Sequence, residues 1–275
     1  MRYTLSLLGT LLILLSTTIN AGTINPDVSD SKYLEYGKKH ECVFQVKTLY
    51  EKLDDGKEII GSGCCVLISP QIIITAAHVI YDTEKILVLV PDEEDAVVID
   101  YTFIPVPYKE DAEANRFSMY DIAICHLKRP ISLDYYPPLY KKHDEVGKIC
   151  SMAGFGKTGS FKSSKRKNDN KKRAGSNFID KIFKGQLLCT VGNSDMTSLE
   201  FLICQGDSGG GLFIDKKLAG INSAIMASDG VLDGDQGDES IHTRISTHYD
   251  WIEKVIEYIK QIERVKIDNG HRKMD

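Results

Sequence analysis

The chain has 275 residues, 27% of them charged, and a formal net charge of −5 at pH 7. This acidic balance argues against nucleic acid as a partner, because binding to a phosphate backbone depends on clustered positive charge. The length suits one large domain or two small ones.

The first 21 residues have the layout of a secretory signal peptide. Arg2 supplies the positive start, residues 5–15 are almost entirely apolar, and Ala21 is a small residue suited to a cleavage site. The apolar stretch is too short to span a membrane. We therefore expect residues 1–21 to be removed and the rest of the chain to be secreted to the extracellular space, without a membrane partner.

Short apolar runs separated by turn residues recur through most of the chain. Many are rich in Val and Ile, and they are too short for helices, so they predict β-strands packed as barrels or a sandwich. The runs lie at residues 65–68, 72–75, 86–90, 96–104, 122–127, 148–153, 186–191, 211–214, 218–225 and 241–245.

Two further segments complete the predicted organisation. Residues 130–142, with a Pro-Pro pair, resemble a linker and divide the strands into two subdomains that meet along a cleft. Apolar residues at three- and four-residue steps predict an amphipathic α-helix over 249–262, followed by a polar tail at 263–275.

The seven cysteines all follow residue 21, and secretion permits disulfides. An odd number leaves at least one thiol unpaired within the chain. The sequence contains neither a CxxC pair nor a run of His and Cys at ligand spacing, so we expect no metal site and no cofactor.

Three separated segments carry the candidate chemistry. His78 follows an apolar strand in QIIITAAHVI, Asp121 precedes one in YDIAICHL, and Ser208 lies among glycines in LICQGDSGGGLF. Each residue alone is also typical of a turn or a packed strand end. Together they supply what a serine nucleophile needs, namely a base within hydrogen-bond reach and a third group that orients the base.

The motifs TAAH, DIA and GDSGG, in this order, resemble those of the chymotrypsin/trypsin family of serine endopeptidases over residues 44–262. The resemblance implies an all-β fold of two six-stranded antiparallel β-barrels with a C-terminal α-helix. The peptidase domain is then expected at 40–262, with barrel 1 at about 40–130 and barrel 2 at about 143–248.

The resemblance also assigns catalytic roles. Ser208 would attack the peptide carbonyl, His78 would take and return the proton, and Asp121 would orient His78. The backbone N–H groups of Gly206 and Ser208 would form the oxyanion hole.

In this family an N-terminal ammonium, freed by cleavage, pairs with the aspartate before the nucleophile, here Asp207. The usual Ile-Val-Gly-Gly start is absent. We expect a zymogen cut between Gly22 and Lys39, with 22–39 as a candidate propeptide.

The resemblance places a specificity pocket around Leu202 at its base, with walls formed by Ser223, Ala224, Ile225 and Ser240. The bulk of Ile225 predicts a shallow apolar pocket and a preference for small aliphatic residues before the scissile bond. Cys150, Cys189 and Cys204 fall at family disulfide positions without their usual partners. Either the disulfides are rewired or these cysteines are small buried residues.

Two loops carry opposite charge. Residues 157–173 are rich in Lys and Arg and predict a mobile loop that is either solvated or an exosite for an acidic polyanion such as a sulfated glycan. Residues 229–239 are acidic and predict a solvated loop, with a calcium site as the weaker alternative.

We therefore expect a secreted, monomeric serine endopeptidase that acts on proteins or peptides and is open to protein inhibitors. The alternative is a catalytically weak or inactive protease homologue that acts as a binding or regulatory protein. The GxSxG elbow of α/β-hydrolases also matches residues 206–210, but the helices of that fold are missing upstream.

Overall fold

The structure is a computed structural model that describes residues 22–52, 58–163, 165–192, 196–227, 229–231 and 234–271. The predicted signal peptide, residues 1–21, lies outside the described residues. The described chain begins with a short strand, β1 (Thr23–Ile24), and a helix, α1 (Asp30–Lys38).

A closed antiparallel barrel follows. Its six strands are joined in the order β2-β3-β4-β7-β6-β5. The strands are β2 (Val43–Lys52), β3 (Glu58–Ser69), β4 (Ile72–Thr75), β5 (Lys85–Leu89), β6 (Val97–Phe103) and β7 (Ala123–Leu127). Two short helices lie in its connections, α2 (Ala77–Ile80) and α3 (Val106–Glu113). A closed six-stranded barrel of this kind is what the resemblance implied for the first half of the chain.

The second half of the chain forms two sheets rather than one six-stranded barrel. A seven-stranded sheet has the order β10-β8-β14-β15-β16-β12-β11, and β1 lies between β13 and β9 in a separate three-stranded sheet. The strands are β8 (Ile149–Gly154), β9 (Gly159–Ser160), β10 (Arg173–Phe178), β11 (Lys181–Phe183), β12 (Gln186–Thr190), β13 (Phe201–Leu202), β14 (Gly211–Ile214), β15 (Lys217–Met226) and β16 (Glu239–Arg244). The mostly β architecture expected for this half is confirmed, and β13 and β9 pair in addition with the N-terminal strand.

The two halves share one hydrophobic core. Apolar residues of the first barrel, such as Ile74 and Ile124, belong to the same buried cluster as Phe213 and Ile221 of the second half. A second cluster lies within the seven-stranded sheet and includes Met152 and Leu187. Burial of this apolar surface is the main favourable term in folding and fixes the cleft between the halves.

The chain ends in a long helix, α4 (Ile245–His271). Its apolar residues Ile252, Val255 and Ile259 are buried against the shared core. The helix continues beyond residue 262, where the sequence predicted a polar tail, because residues 263–271 keep helical hydrogen bonding after the docked turns. None of the described helices is long and apolar enough to cross a membrane.

Residues 22–39 are built into the second half of the molecule. β1 pairs with β13 and β9, and Tyr33 of α1 is fully buried, with its hydroxyl donating to the backbone oxygen of Glu200 at 3.0 Å. The guanidinium of Arg173 forms an ion pair with Asp30. Removal of residues 22–39 would break these contacts and leave buried polar groups unpaired.

The basic segment 157–173 also makes structural contacts with the rest of the protein, in contrast to the expected mobile loop. Thr158 and Lys167 form a β-bridge. The ammonium of Lys172 donates to the backbone oxygens of His40 and Val43 at 2.9 and 3.0 Å, and Arg173 is almost completely buried. Lys172 and Arg173 therefore hold the fold together, whereas Lys162, Lys165, Lys167 and Lys171 are exposed.

Candidate active site

The barrel brings His78 and Asp121 together. β4 pairs with β7 so that Thr75 lies opposite Ala123. His78 follows β4 in the short helix α2, and Asp121 precedes β7, so this register places the two side chains at the same edge of the barrel. Nδ1 of His78 lies 2.8 Å from Oδ2 of Asp121, and the backbone N–H of His78 donates to Oδ1 at 2.9 Å.

Asp121 is buried, and hydrogen-bond donors surround both its carboxylate and its backbone oxygen. The Ser223 hydroxyl donates to Oδ2, and the Thr243 hydroxyl donates to the backbone oxygen of Asp121 at 2.9 Å. Burial alone would raise the pKa of Asp121, but the positive charge of His78 and the hydrogen bonds from His78 and Ser223 outweigh it and lower the pKa. The carboxylate therefore stays ionised.

The imidazole of His78 is the exposed member of the pair, with 40% of its side chain accessible. Loss of solvent around the ring would lower the pKa of His78, but the charge of Asp121 and its hydrogen bond outweigh this effect and raise the pKa. An accessible imidazole with a raised pKa is suited to take a proton from a nucleophile.

Ser208 lies in the turn between β13 and β14, and glycines shape this turn. Gly206 and Gly209 have φ of +95° and +85°, a region that favours glycine. A Cβ on Gly209 would lie 2.1 Å from the backbone oxygen of Cys64. The turn is clamped to the barrel because the N–H of Cys64 donates to the oxygen of Ser208 at 2.7 Å.

Gly63 lies between Val79, the residue after His78, and the backbone of Ser208. A Cβ built on Gly63 would lie 2.7 Å from Cγ1 of Val79, the residue after His78, and 3.0 Å from the backbone oxygen of Ser208. Among the described residues, the hydroxyl of Ser208 makes no hydrogen bond to the His78 ring. Such bonds are often long or misaligned without substrate and tighten in the complex.

The predicted oxyanion-hole donors have no competing acceptors. In the part of the chain that the structure describes, the N–H groups of Gly206 and Ser208 make no hydrogen bond, whereas the neighbouring N–H groups of Asp207 and Gly209 donate to backbone oxygens. Two N–H groups without an acceptor, next to a serine hydroxyl, can donate hydrogen bonds to the negatively charged oxygen of a tetrahedral intermediate.

Asp207, the residue before Ser208, is buried. Its Oδ1 accepts from the N–H of Gly156 at 2.7 Å, and its Oδ2 accepts from the N–H of Cys204 at 2.9 Å. Burial raises the pKa of Asp207 to about 7, although these two donors oppose the shift. A Cβ built on Gly22 would lie 3.3 Å from Oδ2 of Asp207, so the described chain begins beside this carboxylate.

The predicted specificity residues do not all line one pocket. Leu202 is fully buried in a small apolar cluster with Phe161 and Val191, and Ile225 packs against it. The sequence did not predict that Phe161, within the basic segment, would fill the space over Leu202.

The remaining pocket residues have other partners. Ser240 is fully buried, and its hydroxyl donates to the backbone oxygen of Cys189 at 3.3 Å. In the sheet it lies opposite Cys189 of β12 and Ile225 of β15. Ser223 donates its hydroxyl to Asp121 and also lines the cavity beside His78. The assignment of Ser223 and Ser240 as walls of a specificity pocket stays a prediction.

A cavity of about 320 Å³ lies beside the catalytic pair. It is lined by His78, Asp121, Ser223, Ala224, Tyr108, Ala112, Arg116, Phe117 and Ser118. The residues from α3 and the loop after it were not recognised from the sequence, because their pattern resembles an ordinary surface helix. Ala224, predicted as a pocket wall, does face this cavity.

All seven cysteines are free and buried. Both alternatives for these cysteines, rewired disulfides and small buried residues, stay predictions.

Comparison with known proteins settles the family. A sequence model described as Trypsin matches residues 38–252, which is more than half of the chain. The chain belongs to the trypsin family. This assigns a hydrolase family of serine proteases, whose substrates are proteins.

Individual relatives agree with this trypsin-family assignment. The chain is 26% identical over 248 residues to Phenoloxidase-activating factor 3 of Holotrichia diomphalia, covering 75% of this chain and 67% of that protein. Its fold is similar to HL collagenase, with a TM-score of 0.58 at 15% identity over 79% of this chain and 94% of that one. It is equally similar to neuropsin of mouse brain, with a TM-score of 0.58 at 21% identity over 77% and 93% of the two chains.

Proposed function

We propose that this trypsin-family protein is a secreted serine endopeptidase in which Ser208, His78 and Asp121 act as a proton-transferring triad. The observation that carries the proposal is the double hydrogen bond from His78 to Asp121 at the edge of the barrel, with the Ser208 turn clamped to the same barrel. Serine acylation requires a base oriented in this way within reach of the serine hydroxyl.

The reaction follows from these positions. His78 takes the proton of the Ser208 hydroxyl as its oxygen attacks the peptide carbonyl, and Asp121 stabilises the imidazolium that forms. The N–H groups of Gly206 and Ser208 hold the oxyanion. His78 then gives the proton to the leaving amine, and water hydrolyses the acyl-enzyme by the same route in reverse.

A regulatory, catalytically weak homologue is the second candidate function. It is favoured by the packed cluster of Phe161, Val191 and Leu202 and by the missing hydrogen bond between Ser208 and His78 in the described structure. The relative named as a phenoloxidase-activating factor is compatible with either role.

One experiment separates the two functions. The purified protein is treated with a fluorophosphonate probe and, in parallel, with a mixed peptide library, and Ser132→Ala, at an exposed serine, is the matched control for Ser208→Ala. We expect labelling and cleavage in the wild type and in Ser132→Ala, and a loss of about 10⁶-fold in turnover in Ser208→Ala. An unlabelled wild type that cleaves nothing would overturn the endopeptidase proposal and favour the regulatory function.

We further propose that the amine of Gly22 activates the enzyme, in place of an internal zymogen cut. Removal of the predicted signal peptide after Ala21 would leave Gly22 as the N-terminus, and Gly22 already lies against Asp207. An ammonium at this position would pair with the carboxylate, whose isolation in the interior is otherwise costly, at about 3 to 5 kcal/mol.

Specificity is proposed for apolar side chains of limited size. Leu202 and Ile225 border the site where the residue before the scissile bond is expected, and Phe161 occupies part of that space. Substrate side chains on the other side of the proposed catalytic residues would enter the cavity beside His78, where Tyr108 and Phe117 form part of the lining.

We also propose that binding of an acidic polyanion would depend on those lysines of residues 157–173 that do not hold the fold together.

A further inference from the structure

A group of three side chains lies far from the catalytic pair, where α4 crosses the first barrel. Asp100 comes from β6, His126 from β7 and Glu263 from α4, and their candidate ligand atoms all lie within 4.8 Å of one another. We call these three residues the helix-anchor cluster. The helix is held over this part of the barrel by a contact between the rings of Phe103 and Tyr258 at 5.9 Å.

A β-bulge forms the barrel side of the cluster. The pairing of β6 with β7 steps from Ile99 opposite Leu127 to Tyr101 opposite His126, so Asp100 is the extra residue. Bulges redirect side chains in this way, and they often do so at functional positions. Oδ2 of Asp100 lies 4.0 Å from Nδ1 of His126.

The buried imidazole of the cluster has a ring nitrogen without a hydrogen-bond partner. His126 is 4% exposed, and its Nδ1 makes no hydrogen bond within the described residues. Oε1 of Glu263 is paired only with the ammonium of Lys266, at 3.2 Å. Buried polar groups in native proteins are nearly always satisfied, so an orphaned imidazole nitrogen facing two carboxylates indicates a ligand between them.

We propose that the helix-anchor cluster binds Zn²⁺ and thereby fastens α4 to the first barrel. One imidazole nitrogen and two carboxylates are a ligand set that zinc accepts, with a water molecule as the fourth ligand. Ca²⁺ and Mg²⁺ prefer oxygen ligands alone, so the imidazole favours zinc over them.

The ammonium of Lys266 would compete with the metal for the two carboxylates of the helix-anchor cluster. Its ammonium lies 3.0 Å from Oδ2 of Asp100 and 3.2 Å from Oε1 of Glu263, but it does not contact His126 Nδ1 within hydrogen-bond distance. The Lys266 side chain is 47% exposed, so it can turn into solvent when the metal enters. Removal of this ammonium should therefore strengthen zinc binding.

The test uses full-length protein carrying Ser208→Ala, so that proteolysis does not disturb the measurement and the result does not depend on the proposed function. Zn²⁺ alone is titrated by calorimetry and in thermal unfolding, and Co²⁺ is used to detect tetrahedral coordination by visible absorption. We expect one Zn²⁺ per chain and a melting temperature that rises with zinc concentration.

Four substitutions locate the site. We expect the melting shift to be lost in His126→Phe and in Glu263→Gln, retained in the exposed control His143→Phe, and reached at lower zinc concentration in Lys266→Met. Because His126→Phe replaces a buried ring, Glu263→Gln on the helix side provides an independent reading if the first variant does not fold. Absence of binding in both the parent and Lys266→Met, or binding that survives His126→Phe and Glu263→Gln, would overturn the proposal.

Discussion

The carboxylate of Asp121 holds His78 with both of its oxygens, one accepting from the backbone N–H at 2.9 Å and the other paired with ring Nδ1 at 2.8 Å. This arrangement fixes both the position of α2 and the orientation of the imidazole. Nε2 is left free of Asp121, which is the nitrogen that the proposed mechanism uses, and the charge of Asp121 favours the protonated ring.

The first prediction concerns the pH dependence of cleavage. His78 must be neutral to act as a base, and its pKa is raised above 6.5, so kcat/KM should rise with a midpoint above pH 6.5. Asp121→Asn removes the charge that raises this pKa and should lower kcat by about 10⁴-fold. Rates measured from pH 5 to 9 check this, and a flat profile or a midpoint below 6.5 would contradict the role of His78.

The second prediction concerns the N-terminus. Protein that begins at Gly22 should be fully active, whereas protein that begins at Ala21 should have lost most of its activity because its ammonium is displaced from Asp207. The comparison requires N-terminal sequencing of both preparations and the same peptide assay. Equal activity in the two chains would rule out the Gly22 amine as the activator.

The same pair of chains should differ in stability with pH. Without a cation, burial raises the pKa of Asp207 from 3.8 to about 7, so the chain that begins at Ala21 should lose stability as pH rises from about 4 through 7. An ammonium at Gly22 offsets this cost above pH 4. Urea unfolding at pH 4 and pH 7.5 measures the effect, and we expect the two chains to diverge only at the higher pH.

The third prediction concerns Phe161. Phe161→Ala should open space over Leu202, raise kcat/KM for peptides with Leu or Phe before the scissile bond, and cost stability of about 3 to 5 kcal/mol. Phe183→Ala, at a half-exposed position outside this cluster, is the matched control. Unchanged selectivity in Phe161→Ala would show that this side chain does not restrict the substrate.

The fourth prediction concerns the cysteines. Burial raises the pKa of Cys42 to about 12 and raises the pKa of the fully buried Cys64 and Cys65 thiols further. The folded protein should therefore resist alkylation, and seven thiols should react after denaturation without reductant. Sγ of Cys150 lies 3.8 Å from Sγ of Cys189, so five reactive thiols would indicate that this pair has closed.

The sequence alone determined the family, the mostly β character and the identity of the three candidate catalytic residues. These features depend on local signals: strand-length apolar runs, glycines that permit the turn around Ser208, and three motifs whose order is itself informative. The C-terminal helix was predicted from its apolar spacing, although its end was placed too early.

Only the tertiary structure decided which distant residues meet. Gly22 lies beside Asp207, Phe161 covers Leu202, and Ser223 donates to Asp121, in each case across a long separation in sequence. No local pattern encodes such contacts, because they arise from strand pairing and burial of the shared core. For the same reason an unremarkable histidine in β7 gains two carboxylate neighbours when a bulge and the last helix come together.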